Sequence, residues 1–343
     1  MFSKIGYRNR SLQRQFTLAA ICLAVLATAT LPGSLSAATG PAAEPHPRIL
    51  LLASYHPAFP SFMPQIRGLQ AGFEENGLAK GSYVLDVEFM DTKRFPVPER
   101  EQVVERDLMA KMAVLKPYDL IVTADDNALR FAIDRQNTLF AGTGIVFLGV
   151  NNVRLALAQN DNPRIVGVIE KRSVSETLLL ARRLFPGAPA IHVITDGTRT
   201  GRINNRQLEK VVREHRQIGP VRIHSLGDQS YESLFTTLKS LPPTTPLYLG
   251  NPSRDSTGQS LEFNEFNARI REVFKGPVFV TQDHGIGFGV FGGKIVSHFG
   301  QGRAAAGLGA RILRGEPTGT LRVLAESPNI YTFDYNQLRH FGI

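Results

Sequence analysis

The sequence predicts an α/β protein with two doubly wound lobes, each built on a parallel sheet. Residues 119–152 carry the clearest signal: the short β-branched runs Leu120–Thr123 and Ile145–Val150 flank a stretch with helical spacing, which is typical of a strand–helix–strand unit. Units of this kind form two successive series along the chain. The two strands of residues 119–152 end in small polar residues, and open α/β sheets bind their ligands at that end.

Residues 1–38 have the pattern of an export signal. Four basic residues between positions 4 and 14 precede the apolar run Phe16–Leu31, and the small residues Ser36–Ala38 follow it. The apolar run is shorter than the ~20 residues of a membrane-spanning helix. We therefore expect a cleaved signal peptide and a periplasmic product, with an uncleaved membrane anchor as the alternative.

Composition limits the partners and the stabilising chemistry. The only cysteine, Cys22, lies in the apolar run and follows Ile21 rather than the small residue of a lipidation site. We therefore expect neither a lipid nor a disulfide in the mature chain. Removal of residues 1–38 lowers the formal charge from +9 to +5, and no basic run interleaved with aromatic residues remains. A nucleic-acid partner is not expected, and we expect a monomer.

The first series follows a disordered lead-in expected over residues 39–47. Its predicted strands are 48–53, 83–89, 120–123, 145–150 and 165–169. Its predicted helices are 64–75, 98–115 and 128–139. Ser173 and Glu176 then have the spacing of a helix capping box.

The second series begins at residue 190. Its predicted strands are 190–196, 221–225, 247–249, 278–281, 294–299 and 330–333. One predicted helix follows the polar turn 197–201 and extends to about 217. The others cover 231–238, 261–273 and 303–313. The last helix is rich in alanine and glycine, so we expect it to pack closely against a neighbour.

The pair Asp125-Asp126 follows the strand at 120–123 and has two interpretations. Either the pair only caps the following helix, or it also faces a ligand, with Asp126 as the candidate contact. A metal site is not expected, because no His or Glu stands nearby to complete a set of ligands.

Other residues beyond the first-lobe strands are candidate ligand contacts. Tyr55 and His56 would wall a pocket, although Tyr55 could equally be a core residue. Asn151 and Asn152 are either turn residues or hydrogen-bonding groups for a polar ligand. The full first-lobe set is Ser54, Tyr55, His56, Asp126, Asn127, Asn151 and Asn152.

The second lobe offers charges of both signs. Asp196 and Asp283 stand at strand ends, while Arg199 and Arg202 occupy the start of a helix, whose N-terminus favours an anion. Carboxylates beside such a helix end suit a zwitterion, so we expect an amino-acid-like ligand. The second-lobe set is Asp196, Thr198, Asn251, Asp283 and His284.

The sequence lacks the motifs of the common catalytic and cofactor sites. Gly287, Gly289 and Gly292 match the dinucleotide pattern, but the run after them reads as a strand rather than a helix. We interpret them as a loop or hairpin. His192 and His224 lie within strands and are expected to be core or edge residues. We therefore expect no catalytic residue, no metal and no cofactor.

Five segments carry a family resemblance: Ile49–Pro57 (ILLLASYHP), Tyr118–Asn127 (YDLIVTADDN), Phe147–Asn152 (FLGVNN), Gly293–Gly302 (GKIVSHFGQG) and Glu326–Tyr335 (ESPNIYTFDY). In them the chain resembles the uncharacterised substrate-binding proteins of ABC importers, akin to binders of tryptophan and other aromatic amino acids. It is also similar to the extracytoplasmic sensing region of certain histidine kinases.

The resemblance covers nearly all of residues 48–343 and implies a type I periplasmic-binding fold. In that fold two Rossmann-like lobes are joined by a hinge that the chain crosses three times. The resemblance assigns 48–168 and 300–318 to the N-terminal lobe, and 169–299 and 319–343 to the C-terminal lobe.

The function expected from these observations is capture of a small polar ligand between the lobes and its delivery to an ABC permease in the inner membrane. The alternative is a ligand-sensing module that acts with a separate sensor kinase; a fused sensor would continue past Ile343 into a spanning helix. A periplasmic hydrolase is a third interpretation, for which the sequence offers no recognisable nucleophile–base pair.

Overall fold

Two open sheets organise the chain, and their central strands form where apolar, β-branched runs can be buried on both faces. The computed structural model describes residues 46–250, 252–283 and 285–343. The expected signal peptide and all but the last two residues of the expected lead-in lie outside these residues. Within the part that the structure describes, no helix is both long enough and apolar enough to cross a bilayer.

The first sheet contains five parallel strands in the order β2-β1-β3-β4-β5. The strands are β1 (Arg48–Ala53), β2 (Val84–Phe89), β3 (Leu120–Ala124), β4 (Gly144–Val150) and β5 (Ile165–Ile169). The helices between them are α1 (Phe62–Glu75), α2 (Val97–Val114), α3 (Asp125–Arg135) and α4 (Val153–Leu157), the last followed by a 3-10 turn at Ala158–Asp161. We call this sheet and its helices the first lobe.

The second sheet has the order β11-β10-β9-β8-β6-β7, parallel except for β11 at its edge. Its strands are β6 (Ile191–Thr195), β7 (Val221–Ser225), β8 (Leu247–Leu249), β9 (Val278–Phe279), β10 (Gly292–Ile295) and β11 (Ile330–Phe333). Its helices are α5 (Val174–Leu184), α6 (Arg199–Glu214), α7 (Tyr231–Lys239), α8 (Phe263–Val273) and α10 (Tyr335–His340), with a 3-10 turn at Arg216–Ile218. We call this the second lobe.

Helix α9 (His298–Leu313) follows β10 but packs on the first lobe, directly against α1. The close approach depends on glycine. A Cβ on Gly68 would lie 2.0 Å from the carbonyl oxygen of Phe299, and one on Gly302 would lie 2.1 Å from that of Gln65. The expectation that this small-residue helix packs closely is therefore confirmed.

Two local predictions were wrong, and the C-terminal helix was not predicted. The predicted strand 294–299 ends at Ile295, because the Ser297 hydroxyl accepts the backbone N–H of Gly300 and starts α9 there. The capping box at Ser173 does not form: Glu176 pairs instead with Lys294. Helix α10 was not predicted; Asp334 caps it by accepting the N–H groups of its first turn.

The chain passes between the lobes after β5, before α9 and again after a 3-10 turn at Thr318–Thr320. The third passage lies later than residue 319. Leu321 and Val323 pack in the first-lobe core, and Leu324 forms a parallel bridge with Val168 of β5. We therefore propose a lobe boundary at 325–329.

Candidate ligand-binding site

Ser54, the first residue after β1, is committed to the internal architecture of the first lobe. Its hydroxyl donates to the carbonyl of Ala124 at 2.8 Å and accepts the N–H of Ala128 at 2.9 Å. Its carbonyl accepts both the N–H and the hydroxyl of Thr92 at 2.9 Å. Because Ser54 is fully buried with these groups in use, it positions the start of α3 and we remove it from the proposed ligand contacts.

Asp125 and Asp126 occupy the first turn of α3, and neither is its N-cap. The N-cap is Ala124, which has no capping side chain, so the helix-cap interpretation of the pair is wrong. Asp125 is buried and adopts a left-handed backbone conformation, with φ at 71°, which is uncommon for a residue other than glycine. Asp126 is half-buried, and its Oδ1 accepts the N–H of Asn152 at 3.2 Å.

Glu170, the residue directly after β5, brings a third carboxylate to the same end of the first sheet. Its side chain is 15% exposed, and Oε2 lies 3.6 Å from Nδ1 of His298 at the start of α9. Burial raises the pKa of Glu170 to about 7, with Arg172 opposing the shift and Asp126 adding to it. We call Asp125, Asp126 and Glu170 the acidic patch.

The three carboxyl groups of the acidic patch influence one another. Burial, reinforced by the charges of Glu170 and Asp126, raises the pKa of Asp125 well above its usual value. Burial also raises the pKa of Asp126, against the hydrogen bond from Asn152 and the charge of Arg130. The patch therefore holds more buried negative charge than its neighbouring cations offset, and it favours a proton or a bound cation.

An aromatic wall stands beside the acidic patch. Burial raises the pKa of Tyr55, and the charges of Asp125, Asp126 and Glu170 raise it further, so this phenol lies within electrostatic range of the whole patch. The Tyr55 ring is 4.4 Å from that of Phe59, and Nζ of Lys93 lies 4.9 Å from the Tyr55 centroid. The half-buried ring of His56 meets Phe59 edge-on at 6.0 Å.

The predicted asparagines have distinct surroundings. Asn152 caps α4, since its Oδ1 accepts the N–H of Leu155 at 3.1 Å. Asn127 is half-buried and donates from Nδ2 to the Thr92 hydroxyl at 2.8 Å. Asn151 is exposed, directly after β4. The last two amides keep hydrogen-bonding capacity for a ligand.

Asp196, at the end of β6, has its carboxylate filled by internal donors. Oδ1 accepts the N–H and hydroxyl of Thr198 at 3.1 and 2.6 Å, and Oδ2 accepts the N–H and hydroxyl of Ser253, both at 2.9 Å. These hydrogen bonds outweigh burial and lower the pKa of Asp196. A carboxylate accepts about four hydrogen bonds, so we remove Asp196 from the proposed ligand contacts.

Of the other four second-lobe candidates, the structure describes two. The Thr198 hydroxyl accepts the N–H of Gly201 at 3.0 Å and caps α6. Asp283 is exposed, just beyond β9. The predictions on Asn251 and His284 lie outside the described residues. A depression of about 430 Å³ opens beside Thr198 and Ser253, and Arg254 and Glu262 also line it.

A resident metal ion has no evident site in the described part of the chain, since no group of three or more His, Cys, Asp or Glu side chains there could hold one. The acidic patch is thus an arrangement of carboxylates beside aromatic rings. Chemically it can bind an organic cation through charge-assisted hydrogen bonds and through the faces of the rings.

Comparison with known proteins identifies the architecture. No protein-family model and no curated protein matches the chain. Among solved structures, the ligand-free, open structure of CD0873, a substrate-binding protein with adhesive properties from Clostridium difficile, matches with a TM-score of 0.63 and 16% identity over 87% of this chain and 95% of that one. The ABC domain from Streptococcus pneumonia in complex with L-Trp matches with a TM-score of 0.57 and 14% identity, and the two chains are covered to the same extents. A LacI transcriptional regulator from Lactobacillus brevis matches with a TM-score of 0.50 and 12% identity over 81% of this chain and 98% of that one.

The chain has the type I periplasmic-binding fold. The predicted fold class is therefore confirmed, and at these identities the similarity concerns the fold alone. In an open α/β fold of this kind, ligands bind beyond the carboxyl ends of the strands. In the first lobe, that is where β1, β3 and β5 bring Tyr55 and the acidic patch together.

Sequence reasoning missed Glu170 and His298 as members of this site. Glu170 could have been found by the rule that selected the other candidates, because it directly follows the apolar run 165–169. His298 could not have been found by that rule, because its position depends on α9 returning to the first lobe.

Proposed function

We propose that the protein captures a small ligand with an ammonium group between its two lobes and delivers it to an ABC permease. The acidic patch beside Tyr55 is the observation that supports this most. The type I fold adds support, since CD0873 is described as a substrate-binding protein and the Streptococcus pneumonia domain was solved in complex with L-Trp.

The charge of the patch argues for a cationic ligand group. Each of its three carboxyl groups has a raised pKa because it is removed from water without enough compensating positive charge. An ammonium group placed there would donate charge-assisted hydrogen bonds and restore the ionised forms. The rings of Tyr55 and Phe59 would cover the adjoining part of the ligand.

An amino-acid-like ligand fits this chemistry. Its ammonium group would meet the acidic patch and its carboxylate the second lobe, where the first N–H groups of α6 form a site that favours anions. Asp126, Glu170 and Tyr55 are the proposed main contacts. Asn127, Asn151 and His56 are the proposed orienting contacts.

The proposed site of action is the periplasm, reached through the export signal of residues 1–38. The proposed partner is an ABC permease of the inner membrane, and a separate sensor kinase is the alternative partner. Crosslinking in intact cells, followed by identification of the attached membrane protein, distinguishes the two.

A thermal-shift screen with matched ligands tests the proposal. Each amino acid is compared with its N-acetyl form, which lacks the ammonium group, and with its amine, which lacks the carboxylate. A ligand at a hundredfold excess over Kd stabilises the native state by about 2.7 kcal/mol. We expect stabilisation by one class of amino acid and none by its N-acetyl form. Equal stabilisation by both forms would exclude an ammonium site, and consumption of the ligand would indicate an enzyme.

A further inference from the structure

The three segments that join the lobes meet at one buried side chain. The first segment follows β5 at Ile169, the second leads from Ser297 into α9, and the third covers residues 325–329. Gln301, in the first turns of α9, is fully buried among them.

The side-chain amide of Gln301 forms hydrogen bonds with three partners. Nε2 donates to the carbonyl oxygen of Ile169 at 2.9 Å and to the hydroxyl of Ser327 at 3.0 Å. Oε1 accepts the N–H of Gly149 in β4 at 3.1 Å. Both donors and the acceptor are in use, so loss of this amide would leave buried backbone groups without partners, which is unfavourable.

The network continues from Gln301 toward the second lobe. The hydroxyl of Ser327 donates to Oδ1 of Asn329 at 2.7 Å. Nδ2 of Asn329 donates to the carbonyl of Lys171 at 2.6 Å and to the hydroxyl of Ser173 at 2.9 Å. Ser173 is the N-cap residue of α5. The first and third segments are therefore tied together twice, once through Gln301 and once through Asn329.

The same amide also reaches the acidic patch. Gly149 has φ at 68°, and the pairing of β4 with β5 shifts register between Phe147 and Val150. The Asp125 carboxylate packs on this irregular point, since a Cβ on Gly149 would lie 3.1 Å from its Oδ1. Asp125 therefore lies next to the residue whose N–H binds Gln301.

We propose that Gln301 is the pivot of the hinge and that it couples the position of the acidic patch to the angle between the lobes. Its amide holds the three segments at fixed spacing, so the lobes rotate about this point instead of separating or sliding. Gln301 does not touch the ligand in this scheme; it is a positioning residue. The proposal depends on the fold and holds or fails independently of what the site binds.

A distance measurement between the lobes tests the proposal without a ligand. Cys22→Ser removes the only native thiol, and Lys80→Cys and Lys239→Cys then place one spin label on an exposed position of each lobe. Pulsed electron paramagnetic resonance gives the distribution of label distances. We expect Gln301→Met, which keeps the shape and removes the amide, to broaden that distribution relative to the parent.

Two further variants separate a pivot from an ordinary buried amide. Gln159 is also a buried first-lobe glutamine, but it bonds locally, to the carbonyl of Leu155 and to the amide of Asn162. Gln159→Met should lower the melting temperature and leave the distance distribution unchanged. Asn329→Asp, at a half-buried position, removes the donors to Lys171 and Ser173 and should broaden the distribution even if Gln301→Met does not fold. The proposal would be overturned if Gln301→Met and Asn329→Asp, or whichever of the two folds, gave the same distribution of label distances as the parent protein.

Discussion

The carboxylate of Glu170 lies 3.6 Å from Nδ1 of His298, although 128 positions separate the two residues in the sequence. Glu170 directly follows the last strand of the first sheet, and His298 begins the helix that returns to that sheet. The contact therefore places an ionisable pair where two of the three joining segments leave the first lobe, beside the proposed ligand site.

Glu170→Gln should change how stability depends on pH. The folded protein holds a proton on Glu170 up to a pKa of about 7, whereas the unfolded chain releases it near the ordinary value of 4.5. The stability from this group is therefore fully present below pH 4.5 and is lost as the pH rises to 7, with a slope of at most about 1.4 kcal/mol per pH unit. Denaturant unfolding at several pH values should show a smaller loss over this window in the variant. Identical slopes would contradict the assignment. The exposed Glu326→Gln is the control.

Asp126→Asn should weaken ligand binding while largely preserving the fold. The amide oxygen can still accept the N–H of Asn152, but the charge that would meet an ammonium group is gone. The loss of one charge-assisted hydrogen bond corresponds to about 1.5–3 kcal/mol, or about 10- to 150-fold in Kd. Calorimetric titration with a ligand from the thermal screen measures this. Asp134→Asn, exposed on the same helix, should leave Kd unchanged, and an unchanged Kd for Asp126→Asn would remove Asp126 from the site.

His192→Gln should make the protein less sensitive to acid. The rings of His192 and His224 are stacked, with a nitrogen–nitrogen distance of 2.8 Å. Burial, then the charges of His224 and Arg222, lower the pKa of His192 to about 4 from 6.5. The unfolded chain therefore takes up a proton first, and stability is lost as the pH falls from 6.5 to 4. Over that range the free energy of unfolding should decline less in His192→Gln than in the parent protein. In the exposed His340→Gln it should decline as much as in the parent protein.

Gly302→Ala and Gly307→Ala should have opposite effects although both lie in α9. The added methyl group of the first would lie 2.1 Å from the Gln65 carbonyl oxygen, whereas that of the second meets nothing closer than 3.8 Å. Overpacking costs roughly 1–3 kcal/mol, while a glycine replaced by alanine in an open helix position gains about 0.5–1 kcal/mol. Melting curves of the two variants decide the matter, and equal shifts would contradict the close packing of α9 on α1.

Export should remove the N-terminal segment near Ala38. The basic, apolar and small-residue regions of 1–38 occur in the order that a signal peptidase requires. N-terminal sequencing of the protein released by osmotic shock is the measurement. Membrane-bound protein that still begins at Met1 would favour the anchor interpretation.

The sequence patterns were sufficient for most strands of the sheets because their signals are local. Strands such as Val221–Ser225 and Leu247–Leu249 match the predicted bounds, since an apolar or alternating run between turn residues is readable within a few positions. The start of α9 was misplaced because Ser297 continues the preceding strand in composition, and only its hydroxyl bond to Gly300 reveals the cap.

The candidate site was less predictable because the use of a polar side chain depends on distant partners. Asp126 and Asp196 are both aspartates at strand ends, yet Ser253 fills one oxygen of Asp196 from 57 positions away. Gln301 gave no sequence signal at all, since its partners Gly149 and Ile169 lie 152 and 132 positions earlier. Periodicity and spacing carry no information on such contacts.

The return of α9 to the first lobe has a consequence for synthesis and export. One face of the first sheet is covered by residues that come after β10, and the edge of the second sheet is completed by β11. A chain made only as far as β9 therefore lacks the helix that covers part of the first-lobe core and the edge strand of the second sheet. Large proteins usually fold domain by domain from the N-terminus. Here the core of the first lobe needs residues as late as Leu321, so a first lobe cut before α9 would leave apolar surface of its sheet uncovered.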